Sequence, residues 1–423
     1  MKNLIKPLVT FALAIIARAV LRRYKPQIVM VTGSVGKTST KDAVAAVLGT
    51  RFFMRKSEKS FNSEFGVPFT VFGVDNPWNN PFAWLKVAKK AFALLLLPNH
   101  YPNMLVLEVG SGKPGDLAQI LKIATPDVVV VTRLPDIPVH VEAYASPEAV
   151  QEEEFSPAYA LKASAPLIIP ADDAYAVNNA VRTSARVITY GRMSDAMVRL
   201  TDSDYFKEEG EVVGMQAVVK YGEEGGTVRI RGSVGATQTL PAAAALATAV
   251  ALQIPLVDAL AALEAYEPPA GRGRLIRGLQ GSTIIDDTYN SSPAAVEQAL
   301  ETLASFPRAK RRIAVLGDML ELGRYSVMEH ERIGALARAS ADVVAAVGIR
   351  ARGFAPGGAS ETTLFFDSAQ AAAEALKDIV RKGDVILIKG SQSIRTERIV
   401  EALLADPADA ELLVRQEKAW RKR

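Results

Sequence analysis

Residues 30–41, MVTGSVGKTSTK, constrain this chain more than any other stretch. The apolar run Ile28-Val29-Met30-Val31 predicts a buried strand, and the pattern from Lys41 to Leu48 predicts a helix. Between them stands Gly36-Lys37-Thr38-Ser39-Thr40. A strand, a glycine turn and a helix start, in that order, form the setting of a nucleotide phosphate loop. Gly33 and Gly36 let the backbone approach phosphate oxygens, and the N–H groups of the helix start, up to Ser39, point at them. Lys37 places its ammonium on the terminal phosphates, and the Thr38 hydroxyl reaches Mg²⁺. The loop is shorter than the common GxxxxGK[ST] spacing, because the first glycine of that pattern is missing. The competing reading is a glycine turn that caps an ordinary helix.

Composition removes several classes of function. With no cysteine, the chain has no disulfide, no thiolate metal site and no cysteine nucleophile. Three histidines leave few acid–base and metal options, so each one counts. A net charge of +4 on 423 residues does not indicate a general nucleic-acid binder. A 49% hydrophobic, 23% charged chain of this length supports two or three domains with real cores. Residues 7–17, PLVTFALAIIA, are apolar but about half a membrane-spanning length, and no small-residue cleavage site follows. The expected location is the cytoplasm. The N-terminal segment is expected either to touch the inner face of the membrane peripherally or to bury itself against the body.

Residues 3–23 read as one helix, flanked by Lys2, Lys6, Arg18, Arg22, Arg23 and Lys25. Strand signals at 104–108, 127–132, 167–169 and 187–190 alternate with helical ones, which argues a parallel sheet with helices on both faces. Residues 196–232 alternate apolar with polar around glycine turns and predict a small antiparallel sheet. An Ala-rich helix is predicted at 241–252. Pro268-Pro269-Ala270-Gly271 is the strongest boundary signal. Strands at 283–286, 312–316, 343–347 and 385–388 then describe a second unit. The fold class is α/β: a terminal helix (1–24), a central phosphate-loop unit with a parallel sheet plus a small antiparallel one (25–269), and a Rossmann-like α/β unit (270–423). Residues 415–423 read as a charged, frayed tail. In residues 76–100, Trp78 and Trp84 precede Lys86, Lys89, Lys90 and an AFALLLL run. Such a segment lies on a membrane or packs as a surface helix, and lysines on a wet helix face favour the second.

Three further places fit one metal–phosphate centre. Glu108 ends an apolar strand, where an open α/β sheet presents residues to a nucleotide. His140 and Glu142 follow another strand, and Asn62 lies in SFNSEFGVP. Mg²⁺ takes carboxylate oxygen readily and imidazole nitrogen less so. Taken singly, Glu108 also reads as a solvated strand end and His140 as a loop histidine.

These stretches resemble the ATP-dependent Mur ligases, most of all the branch that adds D-alanyl-D-alanine. The resemblance runs from about residue 28 to 403 through TGSVGKTSTK, SFNSEFGVP, LEVG, PDVVVVT, HVEAYASPE, GRGR, IDDTYNSSP, VLGDMLELG and GDVILIKGSQS, in that order. It implies an amide ligase that uses ATP and Mg²⁺, phosphorylates a carboxylate to an acyl phosphate and lets an amine displace phosphate. Such chemistry is mainly positioning and charge neutralisation. By motif, Gly33, Gly36, Lys37, Thr38 and Ser39 would hold phosphates, and Arg272, Asp287 and Asn290 the nucleotide from the other side. Thr38 and Glu108 would hold the first Mg²⁺, and His140 a second one near the acyl phosphate. Lys37, His140 and Lys389 would be the catalytic set, with Tyr289 and Ser391 nearby. Asp318 and Glu321 lie in VLGDMLELG, where Asp318 also suits a turn.

Three departures from the family pattern matter. Only 36 residues precede Lys37, so the UDP-sugar-binding domain of that branch is not expected in the chain. The family's carbamylated lysine aligns with Glu154, which either replaces it as a metal ligand or belongs to a solvated acidic turn, Glu152–Glu154. The family's adenine-binding His and Asn align near Thr237 and Pro241. The expected partners are small-molecule and peptide substrates, with no nucleic acid, and the expected state is a monomer. The rivals are a ligase for another polymer, such as poly-γ-glutamate, and a nucleotide-binding protein without catalysis.

Overall fold

The computed structural model of the protein describes residues 2–58, 61–77, 80–417 and 420. Trp78 and the side chains of Lys2 and Lys6 lie outside the described residues. The first sheet is built on β1 (Gln27–Thr32), β2 (Met54–Lys56), β3 (Met104–Glu108), β4 (Val128–Val131), β5 (Pro166–Pro170) and β6 (Arg186–Gly191). β7 (Val198–Glu208), β8 (Glu211–Tyr221) and β9 (Glu224–Arg231) continue it. The nine strands lie in the order β2-β3-β1-β4-β5-β6-β7-β8-β9. The predicted small antiparallel sheet is therefore not separate. β7 pairs with β6 in parallel, and β8 and β9 fold back antiparallel on that edge.

Continuous apolar runs such as VVVV in β4 are buried on both faces, as a parallel sheet covered by helices requires. In chain order the helices are α1 (Lys2–Tyr24), α2 (Lys37–Leu48), α3 (Gly66–Phe72), α4 (Pro81–Leu96), α5 (Asp116–Ile123) and α6 (Pro147–Tyr159). They continue with α7 (Ala174–Ala180), α8 (Leu240–Ala251) and α9 (Leu256–Leu263). Helices α2, α8 and α9 cover one face. The run Ala242–Ala247 is fully buried there, and its small side chains let α8 lie close on α2. Helices α1 and α3 to α7 cover the other face. Leu13, Ala17, Val20 and Leu21 of α1 are buried in that core, so the N-terminal helix docks on the body. Among the described residues no helix is long and apolar enough to cross a membrane.

The second sheet holds β10 (Arg274–Arg277), β11 (Thr283–Asp287), β12 (Arg311–Gly317), β13 (Val343–Val347), β14 (Thr363–Phe366) and β15 (Asp384–Lys389). Its order is β10-β11-β15-β12-β13-β14, and only β10 is antiparallel to its neighbour. Helices α10 (Pro293–Ser305) and α11 (Ser326–Ser340) pack on one face, α12 (Ala369–Ile379) and α13 (Glu397–Ala402) on the other. Strands β2, β10 and β14 escaped the sequence reading. Each has three or four residues, too few to show a period.

Candidate functional site

The predicted phosphate loop forms where β1 meets α2. Gly33 has φ +117°, and a Cβ there would lie 2.3 Å from the Thr132 hydroxyl, so only glycine fits. Gly36 caps α2 with φ +91° and has no atom near its missing Cβ, which leaves open space before the helix N-terminus. That concavity, with N–H groups facing it, is what a phosphate group requires. Lys37 Nζ donates to the carbonyl of Gly33 and lies 3.6 Å from Glu154 Oε1. A Cβ at Gly110 would lie 3.2 Å from that ammonium, so the LEVG glycine leaves room for it.

Glu154 is a correction on the solvated-turn reading. It is no part of a solvated turn, because it sits buried on α6. Its neighbours leave in other directions: Glu152 pairs with Arg182, and Glu153 accepts from the N–H groups of Gly115 and Leu117. Its carboxylate accepts hydrogen bonds at both oxygens. Oε2 accepts from Thr32 Oγ1 (3.2 Å) and Gly33 N (3.3 Å), and Oε1 from Ser111 N (3.2 Å) and Oγ (3.5 Å). Both oxygens are spent on fastening the phosphate loop to the loop after β3.

Glu108 differs. It is buried at the end of β3, and Oε1 accepts from Thr38 Oγ1 at 3.3 Å. Oε2 has no hydrogen-bond partner, and the Lys41 ammonium stands 3.9 Å away. Burial raises the proton affinity of this carboxyl, while Lys41, Lys37 and Arg272 oppose the rise. An orphaned carboxylate oxygen next to a threonine hydroxyl is an oxygen donor set that suits Mg²⁺. Sequence reasoning overlooked Lys41, which is buried and donates to the Ser57 carbonyl at 2.8 Å. The signal was present: Lys41 is one helical turn beyond Lys37.

Residues from the second sheet complete the wall. Lys389, buried at the end of β15, donates to Asp287 Oδ2 (2.7 Å) and the Asn290 carbonyl (2.9 Å). Arg272 lies over the Tyr289 ring, 4.1 Å from its centroid. Gly36, Ser39, Thr40, Arg272, Asp287 and Lys389 line one cavity of about 310 Å³. Thr237 and Pro241 line it too, and Gln238, not singled out in the sequence, offers an amide there.

His140 lines a different cavity from the phosphate-loop residues. Its Nδ1 lies 2.5 Å from Glu321 Oε2, and this contact holds the Glu321 carboxyl below its usual range. The pair faces a second cavity of about 460 Å³, which Asn290, Ser391, Arg395 and Trp420 also line. Among the described residues no three His, Asp or Glu side chains group to hold a metal. The short 3₁₀ turn Val141–Ala143 packs against the 321–323 loop of the second unit, which sets His140 beside Glu321. Asp318 is structural, since its buried carboxylate accepts from Ala351 N at 2.7 Å. Residue 415 is not frayed. The Arg415 guanidinium is buried, pairs with Glu397 at 3.0 Å and donates to the Thr288 and Tyr289 carbonyls.

The geometry around Lys37 makes one prediction. In Gly110→Ala the new methyl displaces the flexible lysine end rather than backbone. Stability should change by less than about 1 kcal/mol. ATP turnover should fall by roughly ten- to a hundredfold, as a misplaced group costs. Phosphate release and a thermal midpoint measure the two, and unchanged turnover would mean that the ammonium works from elsewhere.

Comparison with known proteins gives consistent matches. Residues 31–249 match the model of the Mur ligase middle domain, and residues 271–392 that of the Mur ligase, glutamate ligase domain. The chain is 28% identical over 401 residues to the UDP-N-acetylmuramoyl-tripeptide–D-alanyl-D-alanine ligase of Bacillus subtilis, covering 94% of this chain and 80% of that one. It is 31% identical to the Mycobacterium leprae ligase of the same name, covering 90% and 74%. Its structure is similar to that of the MurF ligase from Thermotoga maritima in complex with ADP, with a TM-score of 0.75, 27% identity and coverage of 93% and 83%.

Proposed function

This chain belongs to the Mur ligase family, and on that premise we propose that it is an ATP-dependent ligase that joins D-alanyl-D-alanine, or a similar amine, to a peptidoglycan-precursor carboxylate. One observation carries the reading: phosphate-loop residues and Arg272, Asp287 and Lys389 of the second unit line a single cavity. A relic without activity has no need of that convergence. The chain divides at 24 and 269, and works as a cytoplasmic monomer with a peripheral contact through residues 1–24 at the inner face of the membrane.

ATP lies in the cavity of about 310 Å³, with its phosphates before Gly33, Gly36 and the N-terminus of α2. Lys37 offsets the charge of the terminal phosphates as a carboxylate oxygen attacks the γ-phosphorus and ADP leaves. Two anions meet in that step, so fixed cations lower its barrier. Thr38 and Glu108 would hold Mg²⁺, which supplies further charge neutralisation when bound. Lys389 and Arg272 face the same phosphates from the opposite side. The amine nitrogen then attacks the acyl phosphate carbon, and the tetrahedral adduct collapses to amide and inorganic phosphate. The second cavity takes the amine substrate, with His140 at the rim and Arg395, whose Nε pairs with Glu397, turning the rest of its guanidinium to a terminal carboxylate.

Phosphate release from ATP, measured with UDP-linked, lipid-linked and free peptide carboxylates against D-Ala-D-Ala and single amino acids, tests the reading. Release is expected only when a carboxylate and an amine are both present. Release indifferent to every pair, or absent with all, would overturn it.

A further inference from the structure

The inference rests on the peripheral contact proposed for residues 1–24 and enlarges it. Helices α1 and α4 lie side by side on the outer surface of the first unit. Arg23 donates to the Leu95 carbonyl at 2.5 Å and Tyr24 to the Leu94 carbonyl at 2.9 Å, which ties the two C-terminal ends together. Each helix buries one stripe, Leu13, Ala17 and Val20 on α1 and Val87, Ala91 and Leu94 on α4. Each leaves a second apolar stripe in water. On α1 it is Leu8 (71% exposed), Phe11 (63%) and Ile15 (44%). On α4 it is Phe82 (77%), Leu85 (69%), Phe92 and Leu96. At 100° per residue these four α4 side chains share one side of the exposed face. Lys86 and Lys90 take the other side, and Lys89 lies within the apolar stripe, between Leu96 and Phe82.

Neither helix contains an aspartate or glutamate. Arg18, Arg22 and Arg23 on α1 and the α4 lysines are therefore uncompensated within the pair. Phe and Leu beside an unbroken set of cations match the boundary of an anionic bilayer, where rings enter the acyl edge and ammonium groups meet phosphates. A second copy of this chain suits the face poorly, because a two-fold pairing would set these lysines against one another. We propose that α1 and α4 together form a platform that binds anionic lipid surfaces. The sequence favoured an ordinary surface helix for residues 76–100, and the exposed apolar side of α4 reverses that preference.

Deleting residues 1–24 would uncover core, so surface substitutions in the full chain are the sounder test. Sedimentation with phosphatidylcholine vesicles, with and without phosphatidylglycerol, is compared for three variants and the native chain. They are Leu8→Ser/Phe11→Ser/Ile15→Ser, Phe82→Ser/Leu85→Ser/Phe92→Ser and Lys86→Glu/Lys89→Glu/Lys90→Glu. The native chain should bind the anionic vesicles only. Each α4 variant should lose more than about tenfold in bound fraction, with phosphate release in solution unchanged. If only the α1 variant loses binding, the α4 platform is overturned and the contact through residues 1–24 stands. If the native chain binds neither vesicle, both fail. A concentration-dependent dimer that the α4 variants dissolve, without vesicle binding, would assign the face to a second copy and overturn the proposal.

Discussion

Replacing Lys37 with alanine is expected to stop ATP turnover in a protein that remains folded. The two effects separate because the lysine is not what holds the loop together. Its neighbour Glu154 keeps hydrogen bonds from Thr32, Gly33 and Ser111 after the ammonium is gone, so no buried charge is stranded. Gly33 and Gly36 keep the loop's shape through backbone geometry that the substitution does not touch. What is lost is a cation facing the terminal phosphates. A single group of this kind is worth about a hundred- to a thousandfold in rate. Phosphate release under substrate saturation measures the loss, and the thermal midpoint checks the fold. A variant turning over at the native rate would remove Lys37 from the mechanism.

The second large effect is on stability. Asp287→Ala leaves the Lys389 ammonium buried with only backbone carbonyls for company. Burial already draws this ammonium down, and Asp287 is the main group that opposes the shift. Breaking such a pair costs about 3–5 kcal/mol. The pH dependence has a definite sign. A lysine depressed in the folded state binds fewer protons there than in the unfolded chain, so stability of the variant should rise as pH climbs toward the unfolded lysine value. Adding Lys389→Met removes the stranded charge and should restore most of the stability, while turnover stays low because both groups face the nucleotide cavity. Chemical denaturation of the single and double variants across pH measures this. Equal stability of Asp287→Ala and the native protein would show that the pair is solvated.

The sequence displayed its phosphate loop because every part of it is local. The strand, glycines, lysine and threonine lie within a dozen residues, and their roles follow from backbone geometry and helix-end electrostatics. Glu108 was legible for a related reason, since the last residue of an apolar strand in a parallel sheet faces the same edge as the loop. The alternation that marked both α/β units is likewise a property of contiguous residues.

Other assignments depended on contacts between residues far apart in the chain. Glu154 reads as one acid among three, and only the packing of α6 against β1 turns it, and not Glu152 or Glu153, onto the Gly33 amide. His140 reads as a loop residue, and only the packing of the two units sets Glu321 beside it. Arg415 reads as a tail residue until the chain brings it back to Tyr289 and Glu397. The sequence by itself determined the loop, the strand ends and the order of elements, because neighbouring residues and helical or strand period encode them. Tertiary structure decided which charges pair and which apolar faces stay exposed, because those outcomes follow from how separate helices and sheets pack and from the cost of leaving a buried charge alone.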